Sequence, residues 1–140
     1  MSDASAERKP SDPRYDFDEV DVESDSVHAD VVRLVGKNAR VLELGPATGY
    51  MSRSFVAQGC SVVAIELDPA MAERAAEVCE RMIVGDLDQL DLEEELGEDR
   101  FDAIVAADVL EHLKDPLATL RRLRPYLADH GDELGVRDLG

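Results

Sequence analysis

Apolar and polar positions follow two rhythms along this chain. Val27, Val31, Leu34 and Val35 recur at helical spacing before Gly36, which predicts a helix beginning at Ser26 and stopping at that glycine. The rhythm then shortens. Arg40–Leu44 reads as a strand, Gly45–Gly49 as a loop, and Tyr50–Gln58 as a helix ended by Gly59. Ser61–Glu66 has the unbroken apolar interior Val62-Val63-Ala64-Ile65, as suits a strand covered on both faces of a parallel sheet. Asp68-Pro69 is an N-cap followed by proline at the first helical position, and Met71, Ala75, Val78 and Met82 are expected to form the buried stripe of that helix. Met82–Val84 reads as a third short strand ending at Gly85-Asp86. The acidic connection Leu87–Arg100 has room for one helical turn, and Phe101–Ala107 reads as a fourth strand. Asp115-Pro116 repeats the cap, and Leu117, Leu120, Leu123 and Leu127 are expected to line the last helix.

Strand and helix therefore alternate, which predicts an α/β fold: a parallel sheet with helices on both faces. The chain has 140 residues, enough for one core and not for two. Residues 1–24 are acidic, polar and aperiodic, and are expected to form a disordered leader to a domain spanning 25–140.

Charge narrows the partners. Asp and Glu number 32 against 15 Lys and Arg, for a formal net charge of −17. Such a surface repels phosphates and anionic lipid, so neither nucleic acid nor membrane is expected as a partner. The local exception, Arg121, Arg122 and Arg124, falls at the end of a predicted helix, where cations complement the macrodipole. No apolar run approaches the roughly 20 residues of a membrane span, and the N-terminus lacks the apolar segment of a secretion signal, so a cytoplasmic location is expected. Cys60, at the start of a strand, and Cys79, on a helix, are too far apart for a redox or zinc pair and read as small buried thiols.

Four predicted strands end in acids: Glu43, Glu66, Asp86 and Asp108. In an open parallel sheet, ligands bind outside those carboxyl ends. Gly45 and Gly49 let the backbone turn tightly and approach a ligand, and the next helix offers free N–H groups. Glu66, 21 residues after Gly45, is placed to accept hydrogen bonds from both hydroxyls of a ribose. Asp86 is placed to accept one from an adenine amino group, and the Leu87 N–H to serve a ring nitrogen. A dinucleotide fingerprint would need glycine at Ala47 and Tyr50, which argues against that class.

At these positions the chain resembles a family. Val41-Leu42-Glu43-Leu44-Gly45-Pro46-Ala47-Thr48-Gly49 resembles the first motif of class I S-adenosylmethionine-dependent methyltransferases. Ile65-Glu66-Leu67-Asp68-Pro69, Gly85-Asp86-Leu87 and Phe101–Leu113 resemble the next three. The resemblance spans residues 26–130. It implies a Rossmann-like sheet and S-adenosylmethionine as cofactor. Glu43, Gly45 and Gly49 would hold its methionine portion, Glu66 the ribose, and Asp86 with Leu87 the adenine, with Asp108 near the sulfonium. Ala47 stands where the family usually has its central loop glycine.

The implied reaction is in-line methyl transfer to a small-molecule acceptor. Positioning supplies much of the rate, and a base helps where the nucleophile carries a proton. Asp108, Glu111 and His112 stand at i, i+3 and i+4, on one side of a helical turn. His112 has three readings: it packs and caps the turn before Asp115, it acts as a base or substrate contact, or the trio binds a divalent metal. His28 would lie near the methionine end, and Tyr15 and Phe17 would belong to a lid.

The family's sheet has seven strands. Four are clear here; a fifth would have to begin near Glu133–Arg137, and the tail from Asp129 to Gly140 lacks a buried run. A partial domain is therefore expected, with a homodimer as one way to cover the open sheet edge. The alternative function is a non-catalytic S-adenosylmethionine-binding or interaction module.

Overall fold

The computed structural model describes residues 27–106 and 109–129 and the backbone of 136–137. The acidic leader with Tyr15 and Phe17, and the candidate Asp108, lie outside the described residues. Five strands form one sheet: β1 (Arg40–Leu44), β2 (Ser61–Glu66), β3 (Arg81–Val84), β4 (Ala103–Val105) and β5 (Val136–Arg137). Their order is β3-β2-β1-β4-β5, and every pairing is parallel. The chain lays β2 and β3 on one side of β1, then returns to lay β4 and β5 on the other. That reversal puts the topological switch point at the carboxyl ends of β1 and β4. The four strands legible in the sequence stand where expected. The fifth falls inside the Glu133–Arg137 window, pairing Ile104 with Val136 and Val105 with Arg137.

The period of two along the strands sorts the core into two faces. Leu42, Leu44, Val63, Ile65, Ile83 and Ile104 pack with Leu92 and Leu96 of α4 (Leu92–Leu96) and Leu123 of α5 (Pro116–Leu123). Val41, Val62, Ala64 and Val105 face the other way. They pack with Val31 and Val32 of α1 (Val27–Val35) and with Met51 and Phe55 of α2 (Tyr50–Ala57). Glu43 shares the parity of Val41, so the sheet's own geometry drives this carboxylate under α2.

At the end of the sheet away from the switch point, Asp102 clasps β1. Its Oδ2 accepts from the Arg40 N–H at 2.8 Å, and its own N–H donates to the Arg40 carbonyl at 2.8 Å. The strand β4 is shorter than the expected Phe101–Ala107: it starts after the clasp, with Phe101 forming only an isolated parallel bridge with Leu127, and it ends at Val105.

Two expected helical stripes are corrected. Helix α3 (Pro69–Ala75) ends before Val78, and its buried positions are Ala72 and Ala75. The chain turns at once, with the Val78 N–H on the Ala75 carbonyl at 3.2 Å. The Glu80 N–H then meets the Val62 carbonyl at 2.8 Å, so parallel pairing captures the segment that helical spacing seemed to claim. Cys79 accordingly sits half-buried in that connection and not on a helix; burial pushes its thiol up to about 11. In α5, capped by the Asp115 carboxylate on the Ala118 N–H, Thr119 and Leu123 are buried while Leu117 is 56% exposed. Leu117 lies in the first turn, off the face that meets the sheet.

Candidate functional site

The loop after β1 carries the sheet ladder one residue further, with the Gly45 N–H on the Ile65 carbonyl at 2.8 Å. It then turns back on itself, the Gly49 N–H donating to the Pro46 carbonyl at 2.9 Å. Gly45, Ala47 and Gly49 all have positive φ, at 68°, 55° and 91°. A Cβ on Gly49 would lie 2.9 Å from the Ala75 Cα, so the loop can sit this close to α3 only with glycine there. At Gly45 a Cβ would meet the Val109 side chain at 3.2 Å. Ala47 is the loop's exception: an L-residue in the left-handed region, at a cost of about 1–2 kcal/mol. Two features offset that cost. Its methyl group is buried in the α1–α2 core, and its N–H donates to Glu66 Oε1 at 2.8 Å.

Glu66 closes β2 with 7% of its surface exposed. Its second oxygen, Oε2, accepts from the Asp68 N–H at 2.9 Å. Each oxygen thus holds one backbone donor and keeps a further lone pair, which is what a carboxylate needs to receive a pair of neighbouring hydroxyls.

Glu43 is 3% exposed and receives the Ser52 hydroxyl at 2.5 Å. Burial pushes its carboxyl up to about 7, the Ser52 hydrogen bond opposes this, and the charge of Glu66 adds to it. Arg53 lowers it slightly and donates to the Thr48 carbonyl at 3.1 Å. Ser52 and Arg53 went unremarked in the sequence, although a polar residue on the sheet-facing side of α2 was the available signal. Above this loop, the His28 ring stands edge-on to Tyr50 at 5.4 Å, joining α1 to the start of α2.

After β3, Asp86 is exposed and folds over the next turn, its Oδ1 accepting from the Asp88 N–H at 2.9 Å. The Leu87 side chain is buried in the core beneath. Glu43, Gly45, Ala47, Gly49, Glu66, Asp86 and Leu87 therefore all lie at the carboxyl ends of three adjacent strands, β1, β2 and β3. His112 ends a short 3-10 turn, Leu110–His112, beyond β4. Its ring is 69% exposed, with Nε2 3.9 Å from Glu111 Oε2. No group of metal-binding side chains occurs among the described residues.

The loop beside the buried Glu66 carboxylate can lie against the backbone of α3 only because Gly49 lacks a Cβ, and the carboxylate keeps a lone pair on each oxygen beyond its two backbone donors. A family model described as "Methyltransferase domain" matches residues 19–134. The ubiquinone biosynthesis O-methyltransferase of Histophilus somni is 31% identical over 99 residues, covering 66% of this chain and 42% of that protein. Its counterpart in Xanthomonas campestris pv. campestris is 31% identical over 102 residues, covering 71% and 43%. The chain thus spans well under half the length of these curated relatives. Among solved structures, a TehB-like SAM-dependent methyltransferase from Corynebacterium glutamicum is 26% identical with a TM-score of 0.57, covering 74% of this chain and 58% of that one. SAM-bound CalS10, an amino pentose methyltransferase from Micromonospora echinaspora, is 25% identical with a TM-score of 0.58, covering 76% and 49%. The chain belongs to the methyltransferase domain family, in its S-adenosylmethionine-dependent class.

Proposed function

We propose that this chain holds S-adenosylmethionine across the carboxyl ends of β1, β2 and β3, and that the protein it forms transfers the methyl group to a hydroxyl of a small molecule. The observation that carries the reading is Glu66. It is buried, it is braced by the Ala47 and Asp68 N–H groups, and it lies directly against the glycine-flanked loop. When bound, S-adenosylmethionine supplies an electrophilic methyl group on a positively charged sulfur. The chain's own residues then bind and orient. Glu66 receives the ribose hydroxyls, and Gly45 and Gly49 let the backbone approach the methionine portion. Glu43 attracts the ammonium group, and Asp86 with the Leu87 N–H recognises the adenine edge. Asp108 is assigned to the sulfonium end from its motif alone.

A small hydroxyl acceptor is supported by the O-methyltransferases among the curated relatives and by the acidic surface, which disfavours polyanionic acceptors. His112 is the candidate base. It stands beyond β4, on the far side of the switch point from the adenine residues, and it is open to solvent and to an acceptor.

Calorimetry with S-adenosylhomocysteine tests the core of the reading. Wild-type chain should bind, and Glu66→Gln should weaken binding by about tenfold to a hundredfold, the effect of losing charge-assisted hydrogen bonds worth about 1.5–3 kcal/mol. No heat at millimolar ligand would sink it. Turnover on a phenol panel then separates an enzyme from a binding module, and unchanged turnover in His112→Ala would remove the base assignment.

A further inference from the structure

The arginines near the end of α5 are not equivalent. Arg122 reaches across to the loop after β3, its Nη1 donating to the Leu87 carbonyl at 3.1 Å and its Nη2 to the Leu90 carbonyl at 2.6 Å. A second tie reaches the same loop, from the Lys114 N–H to Asp88 Oδ2 at 3.3 Å. Between these ties lies the turn built on Asp86, whose carbonyl accepts from the Gln89 and Leu90 N–H groups at 2.8 and 2.9 Å. Leu90 itself covers Gly85 so closely that a Cβ there would lie 2.8 Å from its side chain. The guanidinium therefore grips the second and last residues of the segment Asp86–Leu90, whose first two residues, Asp86 and Leu87, are assigned to the nucleobase. A helix C-terminal cation has no need of such geometry, because the macrodipole asks only for charge. A planar fork spanning two carbonyls of one loop is what arginine supplies and lysine does not.

We propose that Arg122 is a positioning residue for nucleobase recognition: it fixes the Asp86–Leu87 turn so that the carboxylate and the N–H meet an adenine edge together. This rests on the reading that the chain binds S-adenosylmethionine. Arg122 touches no cofactor atom on this account and acts only through the loop.

The test is binding of S-adenosylhomocysteine and of S-inosylhomocysteine, whose base carries an oxygen in place of the exocyclic amine, to the full chain. Wild type should prefer the adenine ligand, since the Asp86 carboxylate accepts from an amine and repels an oxygen. Arg122→Met should lose about tenfold in affinity for the adenine ligand, near 1.4 kcal/mol, and should change little toward the inosine ligand, so that discrimination collapses. Arg122→Lys, which keeps the charge on a single donor nitrogen but loses the planar fork, should recover part of the preference. Equal weakening toward both ligands, with discrimination intact, would overturn the proposal and leave Arg122 a general brace. Loss of cooperative unfolding in both variants would overturn it too, because the residue would then be holding the fold. Failure of wild type to bind either ligand is a different result: it would remove the cofactor reading, and this proposal with it.

Discussion

Glu43 carries a cost that depends on pH. Unfolded, its carboxyl titrates near the ordinary value of 4.5; folded, burial holds it at about 7. A carboxyl raised on folding contributes its full stability below pH 4.5, where both states are protonated. That contribution is lost as pH rises through 7, where the unfolded state gains by ionising in water. The shift corresponds to roughly 3 kcal/mol at full ionisation. Glu43→Gln keeps the acceptor for Ser52 without the charge. It should be more stable than wild type by about 2 kcal/mol at pH 8, with the advantage shrinking toward pH 5. Urea unfolding at the two pH values would show this, and a difference independent of pH would refute it. A bound cation beside Glu43, as the ammonium role proposed for it requires, would offset this cost.

At the scale of elements, the loop between β1 and α2 separates two demands that glycine meets. Ala47 shows that a positive φ alone is tolerable here, since a buried methyl and one hydrogen bond offset it. Gly49 is different, because its missing Cβ is what lets the loop lie against the backbone of α3. Gly49→Ala should therefore cost more than about 2 kcal/mol, adding a backbone clash to the strain of an L-residue at positive φ. Gly45→Ala, which meets only the Val109 side chain, should cost about 1–2 kcal/mol from that strain. Thermal melts of the two variants rank them, and the reverse order would show that φ rather than contact governs the loop. The same loop shows how far the sequence could be read. Glycines, strand-end acids and Asp-Pro caps announced themselves, because each encodes its structure locally. What could not be read depended on partners distant in sequence. The early end of α3 is set by pairing with Val62. The exposure of Leu117 is set by which face of α5 meets the sheet. The grip of Arg122 is set by a loop some thirty residues earlier. Ser52 was findable only by asking which side of α2 overlies Glu43.

For the molecule as a whole, a formal charge of −17 opposes compaction, while ion pairs such as Arg40–Glu80 and Arg81–Glu95 lie on the surface and contribute little each. Salt screens both, and shortens the Debye length from about 10 Å at 0.1 M to about 3 Å at 1 M. Repulsion among many like charges should outweigh a few exposed pairs, so the melting temperature should rise between 0.05 and 1 M potassium chloride (on the order of several degrees for a domain of this size). A fall would mean that the pairs dominate. No described helix is long and apolar enough to cross a membrane.

The two backbone donors on Glu66 have a kinetic consequence. A free glutamate side chain loses up to about 1.5–2 kcal/mol of rotamer freedom when it is ordered, and here the Ala47 and Asp68 N–H groups impose that loss when the chain folds. On the ribose role proposed for Glu66, an arriving diol finds the carboxylate already aimed. Association at the ribose end should then run with little conformational delay, leaving differences in affinity among nucleoside ligands to be written in how slowly they leave.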